Sequence, residues 1–237
     1  MFTFFRTIQK QLKSPSLQDN RGVTFIELVV VISIFSIIAG TLLVNFSRFG
    51  RSITLQNLAQ DIALQINSVQ KEAISGRTND FLATCNRASE DCSPRYGIYL
   101  TSIGDTNNAN MQSYGGNSGK TLFKFFDYMG GFDNKLMYGN NLCGTGLATE
   151  CLDNISLGQG NFISEICGGV GSECDGPITQ GVNIVFKRPF PDAIITGDDD
   201  TVYNYLRITI TSPNQADTPS RDIVVTRLGQ ISIAAHP

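Results

Sequence analysis

The hydrophobic positions follow two regimes along the first third of the chain. From Val23 to Val44, 22 residues carry a single charge, Glu27. At ~1.5 Å per residue, a helix of that length crosses the ~30 Å hydrocarbon core of a bilayer, so the stretch predicts a transmembrane helix. Beyond it Phe46, Phe49, Ile53, Leu55, Leu58, Ile62, Ile66, Val69 and Ala73 recur mostly at threes and fours, with Gln56, Gln60, Asp61, Gln65, Asn67 and Gln70 between them. That spacing predicts an amphipathic continuation. Ser75-Gly76-Arg77 closes it, because glycine accepts the left-handed conformation that ends helices. The expectation is one helix from about Thr24 to Ser75, ~75 Å long, with its second half laid against a sheet.

The rest of the chain predicts β structure. Phe81–Thr84, Tyr96–Thr101 and Thr121–Asp127 concentrate aromatic and β-branched residues between Asn, Gly, Ser and Pro clusters. Gly104–Gly119 is polar and rich in Gly and Asn, which predicts a surface loop. Val182–Lys187, Val202–Thr211, Asp222–Arg227 and Gln230–Ala234 follow as a run of strands. The fold class is α+β, an antiparallel β-sheet domain packed on the long N-terminal helix. Asn45–Pro237 is 193 residues, enough for one respectable core. Three segments result: residues 1–22, a helix over 23–76 with its transmembrane part at 23–44, and a globular β-rich domain over 77–237.

Glu27 needs explaining, since a carboxylate in lipid is costly and usually has a partner or a role. Arg21-Gly22-Val23-Thr24-Phe25-Ile26-Glu27-Leu28 resembles the leader junction of type IV pilins and type II secretion pseudopilins, with a basic leader before it and an apolar run after it. The resemblance implies cleavage by prepilin peptidase between Gly22 and Val23, N-methylation of Val23, and assembly through the N-terminal helix. It further implies that Glu27 pairs with the N-terminal amine of a neighbouring subunit, one compensated pair replacing two lone charges in lipid. Val23 stands where Phe is more usual, and Val44 where many major pilins carry a kinking Pro, which leans toward a pseudopilin or minor pilin. The order of helix, YGIYL strand and closing VVTRLGQISI strands resembles the GspH/FimT-type minor pilins and pseudopilins. The plainer readings are a single-pass anchor or a conventional signal peptide. The latter has an apolar region of about 7 to 15 residues followed by a small-residue site, which Ala39-Gly40-Thr41 matches poorly.

Charge orients the span. The leader carries Arg6, Lys10, Lys13 and Arg21 against Asp19, a net +3 that keeps its side in the cytoplasm and places the following domain outside. The resemblance thus implies a single-pass protein of the cytoplasmic (inner) membrane that moves into a pilus or pseudopilus on assembly. Its partners would be prepilin peptidase, other pilin or pseudopilin subunits and the inner-membrane assembly platform. With the whole chain at −3, the part after the leader carries −6 and offers nucleic acid no general attraction.

Six cysteines, Cys85, Cys92, Cys143, Cys151, Cys167 and Cys174, all fall in the part expected to be exported. An even number there favours disulfides. Their grouping suggests Cys85 with Cys92, Cys143 with Cys151 and Cys167 with Cys174, each closing a small loop, although six cysteines allow 15 pairings. A zinc site would want C-x2-C pairs or histidines, and the single histidine is His236. Asp198, Asp199 and Asp200, with Asp192 upstream, offer oxygen ligands of the kind calcium takes. The same run also reads as a solvated turn joining Ile194-Ile195 to Val202-Tyr203. No other cofactor is indicated. There is no Walker A or dinucleotide glycine pattern, and a catalytic triad would depend on the penultimate residue, so an enzyme is not expected. The functional reading is a structural subunit of a type IV pilus or type II secretion pseudopilus. The alternative is an adhesin or DNA-uptake module whose loops make the contacts.

Overall fold

The computed structural model describes residues 22–75, 95–105, 116–127, 136, 151–187, 189–213 and 220–236, without the side chains of residues 43–49 and 51. Phe81–Thr84, most of the Gly104–Gly119 loop, and Cys85, Cys92 and Cys143 lie outside the described residues. The chain divides into two compact units, Met1–Ser47 and Arg48–Pro237. Helix α1, Phe25–Ser75, contributes to both. In the first unit its Phe25–Leu42 window is long and apolar enough to cross a membrane, and none of it is buried.

In the second unit α1 lies on antiparallel β structure. The strands are β1 (Arg95–Leu100), β2 (Thr121–Asp127), β3 (Cys151–Ser156), β4 (Phe162–Gly169), β5 (Gly176–Pro177), β6 (Val182–Lys187), β7 (Ala193–Gly197), β8 (Val202–Tyr203), β9 (Tyr205–Thr211), β10 (Ser220–Thr226) and β11 (Ile231–Ala235). They form two sheets where one was expected, a six-stranded sheet in the order β3-β2-β1-β6-β7-β8 and a five-stranded sheet in the order β11-β10-β9-β4-β5. The expected Val202–Thr211 strand is broken at Asn204, which leaves the ladder to bridge loops: its N–H donates to Gly169 O at 2.9 Å and its C=O accepts from Arg227 N at 2.8 Å. At the other end Ile103 N–H donates to Ile163 O at 3.0 Å and Ile163 N–H to Gly119 O at 2.7 Å. Backbone hydrogen bonds therefore stitch the two sheets together at this end, and Ala193 N–H, which donates to Arg227 O at 2.8 Å, joins them near Asn204.

The two-residue period of strands sorts the side chains. Tyr96, Ile98 and Leu100 of β1, Val182, Ile184 and Phe186 of β6, and Leu206, Ile208 and Ile210 of β9 join Leu55, Ile62, Ile66 and Val69 of α1 in one core. The opposite face of the six-stranded sheet is also apolar, with Tyr99, Phe123, Phe125 and Val185 packed with Leu136. A strand in a sheet covered on both sides is buried at every position, as β1 is. Gly97 belongs to this face: a Cβ there would lie 2.4 Å from the Phe125 ring, its cross-strand partner, so the ring occupies the space a side chain would take. Polar contacts fasten the helix at its edges. Glu72 pairs with Lys124, Gln56 accepts from Arg221 Nε at 2.9 Å, and Gln70 Nε2 donates to Pro191 O at 2.8 Å and Gly229 O at 3.2 Å.

On the five-stranded sheet, Asp222 is buried, with its side chain 4% exposed. It accepts the Thr209 hydroxyl at 2.8 Å and lies 2.9 Å from His236 Nδ1, just past β11. A buried carboxylate that loses one of its partners is left with more of its desolvation cost uncompensated. His236→Ala is therefore expected to lower unfolding free energy by about 1 to 2 kcal/mol in urea titration, at the modest end because the histidine is part exposed. No change in the urea midpoint would show that this contact is not a clasp on the last strand.

Candidate processing and assembly site

Gly22, Val23 and Thr24 precede α1 and are exposed, Val23 by 69%. A Cβ built on Gly22 would meet nothing within 4 Å. The fold therefore places no steric demand for glycine at this position, and any such demand comes from what acts on the chain. Thr24 caps the helix: its hydroxyl accepts the Glu27 N–H at 3.4 Å and its C=O accepts the Leu28 N–H at 3.1 Å. Thr24-Phe25-Ile26-Glu27 is a capping-box sequence, and an acid in the first turn also meets the positive end of the helix dipole. This local role of Glu27 was legible in the T-x-x-E spacing but is absent from the reading of the junction alone. Along the apolar window, Ser33, Ser36 and Thr41 return their hydroxyls to carbonyls three or four residues earlier, each at 2.8 Å. Their polarity is satisfied within the helix, which suits a bilayer, where unsatisfied polar groups are costly.

The cysteines and aspartates lie in the second unit. Cys167 on β4 and Cys174 form a disulfide across seven positions, closing the loop into β5. Cys151 on β3 is also disulfide-bonded, with its partner outside the described residues. A double Cys167→Ser, Cys174→Ser variant is expected to lose about 2 to 3 kcal/mol of stability by the chain-entropy account of so short a loop. Comparing its thermal melt with that of the parent protein tests this, and equal melting temperatures would contradict it.

Asp198, Asp199 and Asp200 form the turn between β7 and β8, and the carboxylates of Asp198 and Asp199 have separate tasks. Asp198 accepts from the Tyr99 hydroxyl at 2.9 Å and from Asn183 Nδ2 at 3.3 Å, which ties the turn to β1 and β6. Asp199 accepts the Thr201 N–H at 3.1 Å, and Asp200 takes a left-handed φ of 68°. Hydrogen bonding by the Thr201 side chain, partly opposed by burial, holds the Asp199 carboxyl below its usual range. Burial, and then the charge of Asp199, push the Tyr203 phenol up. Among the described residues no group of three or more His, Cys, Asp or Glu side chains is arranged to hold a metal ion.

One further feature has no counterpart in the sequence reading. A cavity of about 460 Å³ lies between α1 and the end of β3, floored by Leu58, Ile62, Leu122 and Leu157, with Asp61 at its rim.

No curated protein and no solved structure matches the chain. Residues 17–43 match the family model described as the prokaryotic N-terminal methylation motif. The matched segment contains Gly22, Val23, the Thr24 cap, Glu27 and the whole apolar window.

Proposed function

We propose that the chain is a minor pilin or pseudopilin, a structural subunit of a type IV pilus or a type II secretion pseudopilus and not an enzyme. The observation that carries this reading is the methylation motif at residues 17–43, set on an exposed junction that leads into a capped, apolar helix. On this reading residues 1–22 are a leader removed by prepilin peptidase, Val23 is N-methylated, residues 23–76 are the assembly spine and 77–237 the exported domain. The protein waits in the cytoplasmic membrane as a single pass with its domain outside. It then enters a filament with other subunits on an inner-membrane platform, where Glu27 meets a neighbour's amine. The α+β domain on a long helix, with a disulfide-closed loop, fits an exported subunit of this kind.

Gly22→Leu, produced together with a prepilin peptidase, tests the reading. The variant is expected to keep its leader and stay in the membrane fraction, while the parent protein shifts to the shorter form. Because the fold has open space at Gly22, loss of cleavage would report on recognition and not on folding. Normal processing of the variant would contradict the proposal.

A further inference from the structure

A sheet edge with free N–H and C=O groups invites another strand, and folded proteins guard such edges with charge, proline, bulges or shortness. Three of the four edges here are guarded. Strand β3 carries the exposed Asp153 and a register shift against β2 at Lys124/Phe125. Strand β5 is two residues long and ends in Pro177, and β8 is two residues long before the break at Asn204. Strand β11, the outer strand of the five-stranded sheet, has none of these devices. Its residues Ile231, Ser232, Ile233, Ala234 and Ala235 include no charge and no proline, and they pair with β10 without a register shift.

The register fixes which groups are open. Thr226 N–H donates to Gln230 O at 3.0 Å, and antiparallel ladders alternate, so Ser232 and Ala234 exchange hydrogen bonds with Val224 and Asp222. Ile231, Ile233 and Ala235 therefore turn their N–H and C=O away from β10, and these groups have no partner among the described residues. An extended backbone meets such a row at its own spacing. Ile231 and Ile233 are half-buried against the core, Ser232 and Ala234 are small and exposed, and Leu228, in the turn before β11, is exposed. Along a strand without charge, a charged neighbour finds nothing opposite.

We propose that β11 is the docking edge for an extended, uncharged segment of another protein, which adds to the five-stranded sheet as a further strand with apolar side chains at every second position. Those side chains extend the row that Ile231 and Ile233 lay on the core. Two copies of this chain can join their β11 edges only about a two-fold axis. Subunits that all point one way along a filament are not so related, so the choice of a different protein rests on the assembly reading above. The open edge does not.

The test uses the full chain in detergent and, as probe, an N-acetylated, C-amidated heptapeptide of alternating valine and threonine. Hydrogen exchange over residues 230–236 is expected to slow by roughly tenfold or more at the outward amides, which the probe takes out of contact with water. The same peptide methylated at successive amides, so that neither of its edges can donate, is expected to leave exchange unchanged. So is the plain probe on a Ser232→Lys, Ala234→Lys variant, whose unchanged melting temperature shows that it is folded, because lysines guard an edge. No slowing at the solubility limit of the probe, or equal slowing by the methylated peptide, would overturn the inference. Slowing that needs no probe and grows with protein concentration would assign the edge to a second copy and overturn the choice of partner. None of these measurements needs cleavage after Gly22, so a failure of the assembly reading shows separately, as a chain that keeps its leader.

Discussion

Glu27→Ala is expected to leave cleavage after Gly22 largely intact and to reduce entry into the filament by about two orders of magnitude, the scale of losing one partner of a charge pair in an apolar setting. Glu27 is the one charge in the Val23–Val44 stretch, and a free carboxylate there is costly in lipid. It also stands at the third helical position after the Thr24 cap, so the alanine variant alone mixes two effects. Glu27→Gln separates them, because glutamine serves a capping box but carries no charge to pair with an amine. The charge-pair account expects Glu27→Gln to fail like alanine in filament incorporation. A glutamine variant that assembles normally would reduce Glu27 to a helix cap.

The largest stability effect is expected at the centre of the second unit. Ile66 of α1 is fully buried in the core that gathers side chains from both sheets. Ile66→Ala is expected to cost about 2 to 5 kcal/mol, from lost transfer energy and the cavity left among strands that relax only in part. Urea unfolding measures it. Leu64→Ala, two residues away and largely exposed, is expected to change stability by less than about 0.5 kcal/mol. Equal losses at both positions would mean that the helix face toward the sheets has been assigned wrongly.

Features written in local pattern were the legible ones. The helix expected over about Thr24–Ser75 runs Phe25–Ser75, and the strand at Thr121–Asp127 has those bounds. Both have strong periodicity or dense aromatic content. Cys151–Ser156 escaped notice because Asp153 and Asn154 are poor strand formers, and β3 exists through its register with β2. Strand β4 ends in two glycines and owes its place to pairing with β9, a contact across some forty residues. The division into two sheets was invisible for the same reason: alternation tells which side of a strand is buried, not which strand lies beside it. Asn204 reads as one residue inside a run of strand formers, yet its backbone is drawn into the Gly169 and Arg227 loops.

The candidate site divides in the same way. The junction is a contiguous motif and could be read residue by residue. The carboxylates of Asp198 and Asp199 adjoin in sequence, but the turn commits them to different neighbours, and Asp200 takes its left-handed position. Asp61 looked like one polar residue among many on the outer face of an amphipathic helix. Only the approach of β3 and the loop after it gives it an apolar floor.

The central claim is that this chain begins its mature life at Val23, and the mass and N-terminal sequence of the protein recovered after co-expression with a prepilin peptidase test it most directly. The account predicts a chain that starts at N-methylated Val23 and has lost residues 1–22. A chain that keeps its leader, or one cut beyond Gly40, would make the apolar stretch a plain anchor or a signal peptide and would contradict the assembly account.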